Sequence, residues 1–276
     1  MNPDVQIAAQ QEFERARRQA DRERLAAWLT GRDARLLPFH IIRRNLRQQS
    51  PLYRGIHDVP LDQIIGSVGR YDEMTREFLP LNDSLKARWA KMAELAHTEG
   101  WLPIDLYKVN NAYFVRDGNH RVSAARQLKF PTIEAHVWEF PDDIEIGPRD
   151  SLDMVLNRFR ERTFLEKTGL NQRYPSYDIR FTTGGRYPEI QAQIEELRQK
   201  LEFIDEREVS LEEAADAWYE LIYLPAVQII NESGLLDAFP GRTEADLFAW
   251  LSIHRDRLRE NYGEFENLSD LAQSLM

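Results

Sequence analysis

"VRDGNHRVSAARQLKF", residues 115–130, changes periodicity at its glycine. Ala112-Tyr113-Phe114-Val115, just before and into it, is a continuous apolar run of strand length. After the glycine, Val122, Ala125 and Leu128 recur at helical spacing, which predicts a helix over 119–129. Upstream, "LPIDLYKV" (102–109) is a strand, and Asn110-Asn111 is a two-residue turn that folds it back as a hairpin. Downstream, "FPTIEAHVWEF" supplies a third strand at 132–138. Strand, turn, strand, helix, strand in so short a span predicts an α/β domain.

The residues at the strand-to-helix turn are chemical as well as structural. Gly118 permits a backbone that other residues resist and lets a ligand approach the main chain. The amides that open the following helix have no partner inside it and attract anions. Arg121 offers a forked, charge-assisted contact to phosphate, and His120 a hydrogen bond or a proton near neutral pH. Asp117 would repel a bare phosphate, so its work there would be to hold a magnesium ion, orient a hydroxyl or accept a proton. An ordinary alternative stands beside this one: Asp117 or Asn119 caps the helix and the basic side chains are solvated.

Around this block the chain is uneven. Residues 6–29 read as a charged helix with a thin apolar stripe (Phe13, Ala16, Ala20, Leu25, Trp28, Leu29), to be packed on the body or on a second copy. Val59-Pro60-Leu61 is a short extended element, Asp62 caps a brief turn through Ile65, and "GSVG" (66–69) is a flexible link to Arg70. Residues 83–99 form an amphipathic helix with Leu85, Trp89, Met92 and Leu95 on one face. From 148 the pattern is mostly helical: a segment ending near Gly169, an aromatic link, then helices at 189–206, 211–231 and 243–261. Pro225 must kink or split the second of these. Ser210 with Glu213, and Thr243 with Asp246, read as capping boxes. Trp218, Tyr219, Tyr223 and Trp250 read as core, and Arg242, Glu244, Asp246 and His254 as a polar junction or a second site.

The formal charge of the 276-residue chain is -10, so no global field favours nucleic acid. The chain has no cysteine, which removes disulfides, thiolate nucleophiles and Cys-ligated metals. The N-terminal segment is interrupted by charges throughout and no apolar stretch is membrane-length, so the expectation is a cytoplasmic protein with no membrane partner.

Residues 101–138 resemble the core of the ParB/sulfiredoxin-like superfamily, in which a turn of the type "DGNHR" forms a nucleotide or phosphate site. "VPLDQIIGSVGRYDEM" (59–74) resembles the same family's opening strand, short helix and arginine. The resemblance covers about 57–140. It implies a ParB/sulfiredoxin-like α+β domain at 56–147, between an N-terminal helical arm (1–55) and a mostly helical domain (148–276); the latter resembles an uncharacterised bacterial helical domain. It further implies a nucleoside triphosphate, ATP or CTP, with Mg. Arg70, Gly118, Asn119, His120 and Arg121 would bind it; Asp117, His120 and Glu73 would be the catalytic candidates, Asp117 also the metal ligand. Sulfiredoxin chemistry itself is excluded, because Asn119 stands where that family has its cysteine. The ParB turn is richer in Glu and Arg, and no basic recognition helix is evident here. The turn of the superfamily's free serine kinases, Asp-Gly-His-His-Arg, is nearest, differing at Asn119. The expectations are therefore a Mg-dependent phosphotransferase or nucleotide hydrolase; alternatively a non-catalytic regulatory or DNA-associated module; or a nuclease using Asp72 and Glu73 with Asp117.

Overall fold

The computed structural model describes residues 3–31, 33–182 and 184–254. The chain divides into two compact units after Val155. The first is a mixed α/β domain. Its elements are α1 (Pro3–Thr30), β1 (Leu37–Pro38), α2 (Phe39–Arg43), β2 (Leu52–Pro60), β3 (Ile64–Ser67), α3 (Lys86–Thr98), β4 (Ile104–Val109), β5 (Ala112–Asp117), α4 (Asn119–Gln127) and β6 (Thr132–Phe140). They build one sheet in the order β1-β3-β5-β4-β6-β2. The expected hairpin is present: β4 and β5 are antiparallel, with Val109 opposite Ala112 across the two asparagines. β4 and β6 run parallel, with α4 as part of the crossover between β5 and β6.

Alternation along β6 sorts the two faces of the sheet. Ile133, Ala135 and Val137 join Ile104, Leu106, Val115, Val122 and Trp89 in the core under α3 and α4. Trp89 is wholly buried and donates from Nε1 to Ser123 Oγ at 2.8 Å, so the largest core side chain leaves no polar atom unpaired. α1 lies on α3, with Phe13 edge-on to Trp89 at 5.8 Å, Lys86 on Glu14 at 2.9 Å and Arg17 on Asp83 at 3.0 Å. The opposite face is covered at one end by α2, whose Phe39 packs on Tyr107, Phe114 and Phe140 at 4.9, 5.1 and 5.4 Å.

Three local expectations are corrected. The short element at 59–61 is the end of a nine-residue edge strand, β2, paired with β6 from Leu52 to Pro60. Its glycine bulge and mostly polar surface hid it from a periodicity reading. "GSVG" is not a flexible link: Gly66 and Ser67 are buried in β3, and no Asp62 side chain caps the 3-10 turn before it. Gly66 is there for space, since a Cβ would meet the Phe114 ring and the Leu37 carbonyl at 2.4 Å.

The second unit is helical. α5 (Leu152–Thr168) begins just before the division; α6 (Leu170–Arg173), α7 (Arg186–Asp205), α8 (Leu211–Trp218), α9 (Leu224–Glu232) and α10 (Glu244–Ile253) follow. The expected break at Pro225 is a π turn, Tyr219–Tyr223, between α8 and α9. Proline has no amide to donate to Leu221, and the wider turn absorbs the missing bond. Trp218, Tyr219 and Tyr223 are core, whereas Trp250 is 40% exposed and stacks on His254 at 4.5 Å. Thr243 and Asp246 form a complete capping box; at Ser210 only the half in which its hydroxyl accepts from Glu213 N is made. Asp246 also accepts from Thr182, and Arg242 donates to the Thr182 hydroxyl, so this polar group is a helix junction. α10 ends at Ile253 with His254 as its C-cap, and the rest of the span predicted as helix, to 261, lies outside the described residues. Among the described residues no helix is long and apolar enough to cross a membrane.

Candidate functional site

Gly118 is the N-cap of α4, with φ 116°. That conformation is costly for any residue with a Cβ, and a Cβ here would lie 2.6 Å from Ile104 Cγ2. No side chain caps the helix. Neither Asp117 nor Asn119 does so, and the ordinary alternative for these two residues is set aside. Arg121 and Val122 donate their amides to Gly118 O at 2.9 and 3.0 Å. The Asn119 and His120 amides precede these first bonds, at the positive end of the helix dipole.

The other turn residues divide the work. Asn119 is a latch. Its Oδ1 lies 3.1 Å from the hydroxyl of Ser67 and its amide 3.4 Å from Gly69 O, so it holds the 67–70 loop against the helix. Arg70 follows that loop at φ 56°, in the left-handed region, and pairs with Glu73 at 3.4 Å. Arg121 braces the strand entrance. It donates to the carbonyls of Leu102 and Pro103 at 2.8 and 3.2 Å and pairs with the exposed Asp117 carboxylate. Arg126, which extends the patch in the sequence, is buried elsewhere: it donates to the carbonyls of Leu61 and Ile64 and to Glu77, over the Phe78 ring.

His120 carries the least settled chemistry of the group. Both ring nitrogens are buried and neither has a hydrogen-bond partner. Burial lowers the affinity of its imidazole for a proton; Glu73 pulls the other way, and Arg70 and Arg88 reinforce the burial. A neutral ring with an unpaired N–H and an unpaired lone pair, under a mouth of cations, is unsatisfied as it stands.

These groups open on a cavity of about 440 Å³. Gly69, Arg70 and residues 116–121 form one side, and α3 supplies Arg88, Lys91 and Met92 on the other. Five cationic side chains line it against one carboxylate, Asp117. Pairing with Asp117 and Glu73 neutralises Arg121 and Arg70. Arg88, Lys91 and Arg116 have no carboxylate partner among the described residues, in a protein of net charge -10. The sequence reading missed all three, and also Ser67. The available signal was the i, i+3 spacing of Arg88 and Lys91 on a helix whose apolar side holds Trp89 and Met92. Asp72 is exposed and does not line the cavity. Glu73 acts on His120 through its charge.

A Mg ion would find one lining carboxylate, Asp117, already engaged by Arg121. Among the described residues no group of three or more His, Asp or Glu side chains is placed to hold a metal. The donor set does not fit a resident metal.

No protein-family model matches the chain, and no curated protein does. A solved structure, the crystal structure of sulfiredoxin from Arabidopsis thaliana, is similar over 32% of this chain and 89% of that one. The identity is 24% and the TM-score 0.26. This is a weak, low-identity likeness to the sulfiredoxin fold.

Proposed function

We propose that the cavity at the start of α4 binds a phosphate-bearing small molecule, a nucleotide such as ATP or CTP first among them, within a ParB/sulfiredoxin-like domain. The observation that carries this is that three cations without a carboxylate partner among the described residues, Arg88, Lys91 and Arg116, line the cavity at an uncapped helix N-terminus beside the unpartnered His120 imidazole. Helix amides and fixed cations together favour an anion, and phosphate oxygens accept from both. Binding stands ahead of turnover in this reading. A phosphotransfer or hydrolysis step draws on Mg, and the one lining carboxylate is held by Arg121. Glu73 and His120 are the acid–base pair such a step would use.

Calorimetric titration of the full chain with ATP, ADP, CTP and GTP, each with and without Mg, tests the proposal. Binding should survive omission of Mg. Arg88→Ala and Lys91→Ala should each weaken it by roughly threefold to tenfold, as expected for loss of one charged contact at an exposed rim. No heat from any nucleotide at millimolar concentration overturns it. Arg121→Ala is a poorer probe, because that side chain also holds the Leu102 and Pro103 carbonyls.

A further inference from the structure

Arg116 belongs to two places at once. It lines the cavity, and its guanidinium lies 5.0 Å over the Trp138 ring and 5.8 Å from that of Tyr107. The Trp138 ring lies on the stretch of this sheet face that α2 leaves open, whereas Tyr107 marks the border, with Phe39 of α2 at 4.9 Å. Tyr53 of β2 continues the row: its ring is 5.2 Å from Trp138, its hydroxyl is 2.8 Å from His136 Nδ1, and it is 54% exposed. Ile56 beside it is 49% exposed. An aromatic row half open to water, on a sheet that has α2 for its other end, is not required by the core.

We infer that Trp138 and Tyr53 form a stacking shelf for a planar heteroaromatic ring carried by the same ligand whose phosphates occupy the cavity, with Arg116 as the hinge between the two subsites. The inference rests on the anion-site reading. Guanidinium and nucleobase rings use the same face of an indole, so a ligand phosphate that draws Arg116 into the cavity leaves the shelf to a ring. The charge around the shelf sets the limit of the ligand. Asp58, Glu134 and Asp105 stand beyond the aromatics on the same face, paired across the strands with one another or with His136. A neutral ring tolerates them, and a running phosphate backbone would be repelled. The class is therefore a mononucleotide, not a nucleic-acid strand.

The test compares inorganic tripolyphosphate with ATP and CTP by calorimetry on the full chain. The wild type should bind the nucleotides roughly tenfold more tightly than tripolyphosphate, the scale of one base stacked on an aromatic ring. Trp138→Ala should bring the affinities together while leaving tripolyphosphate within about twofold, which also shows the fold intact; Trp138→Phe should restore most of the preference. Equal affinity for nucleotide and tripolyphosphate in the wild type, or a preference unchanged in Trp138→Ala, overturns the shelf and leaves the anion site standing. Absence of tripolyphosphate and nucleotide binding alike overturns both.

Discussion

Gly118 and His120 are neighbours but one, and they fail in different ways when changed. Gly118→Ala adds a strained φ and an overlap with Ile104, so a loss of about 2–4 kcal/mol of stability is expected in urea denaturation. His120 acts through pH. Burial holds its folded proton affinity below that of the unfolded chain, which titrates near about pH 6.5. The unfolded chain therefore takes up the proton first as pH falls. The stability that depends on a neutral His120 is complete above that pH and is lost as pH falls towards the folded value. His120→Gln should flatten the stability profile between about pH 7.5 and 5.5 relative to wild type; parallel profiles would show that the imidazole is not in this environment. The identities of these residues were legible in the sequence because glycine, histidine and arginine have few reasons to crowd a turn. Their division of labour was not. Asn119 as a latch and Arg121 as a brace depend on Ser67, Gly69, Leu102 and Pro103, which meet them only in three dimensions.

At the scale of elements, α1 and α3 frame the site from behind. α3 holds Arg88 and Lys91 outward while Trp89 anchors it, and α1 packs on its other side through Phe13. α1 also carries Glu23, which accepts from Thr75 at 2.8 Å and whose carboxyl is pushed up by burial and by Glu77, against Thr75, Arg126 and Arg76. A carboxyl raised in the folded state costs stability as pH rises through its unfolded value. Glu23→Gln keeps the acceptor and removes the charge, so it should raise the thermal midpoint at pH 7 and lose that advantage near pH 4; the reverse order would mean that the carboxylate is stabilising. The helices and the β4–β5 hairpin were readable because their periods are regular. β2 was not, because an edge strand exposed on both sides shows no alternation. The burial of β3 depends on Phe114 and Leu37, at separations that periodicity cannot see.

Across the molecule, the first unit contains every residue of the cavity and of the shelf. A fragment of residues 1–155 should therefore match the full chain's nucleotide affinity within about twofold, about the spread expected where no contact is lost; a larger deficit would mean that the helical unit contributes to the ligand. The charge pattern gives a second check. A cationic cavity at the surface of a -10 chain attracts anions over a short range only, so binding should weaken steadily from about 50 to 500 mM salt. The α/β character of the first unit and the helical character of the second followed from where the hydrophobic period shifts between two and 3.6 residues. The division after Val155 falls inside α5, a helix with no break in pattern.

The placement of β2 has a consequence for synthesis. Its partner is β6: Tyr53 bonds to His136, 83 residues later. A ribosome adding about 5–20 residues per second leaves β2 unpaired for roughly 4–17 s after it emerges. For that interval the nascent chain displays a ready-made strand to any other chain nearby. The bulge at Gly55, with Arg54 beside it and Pro60 at the end, makes that strand a poor template for everything except the segment that has not yet been made.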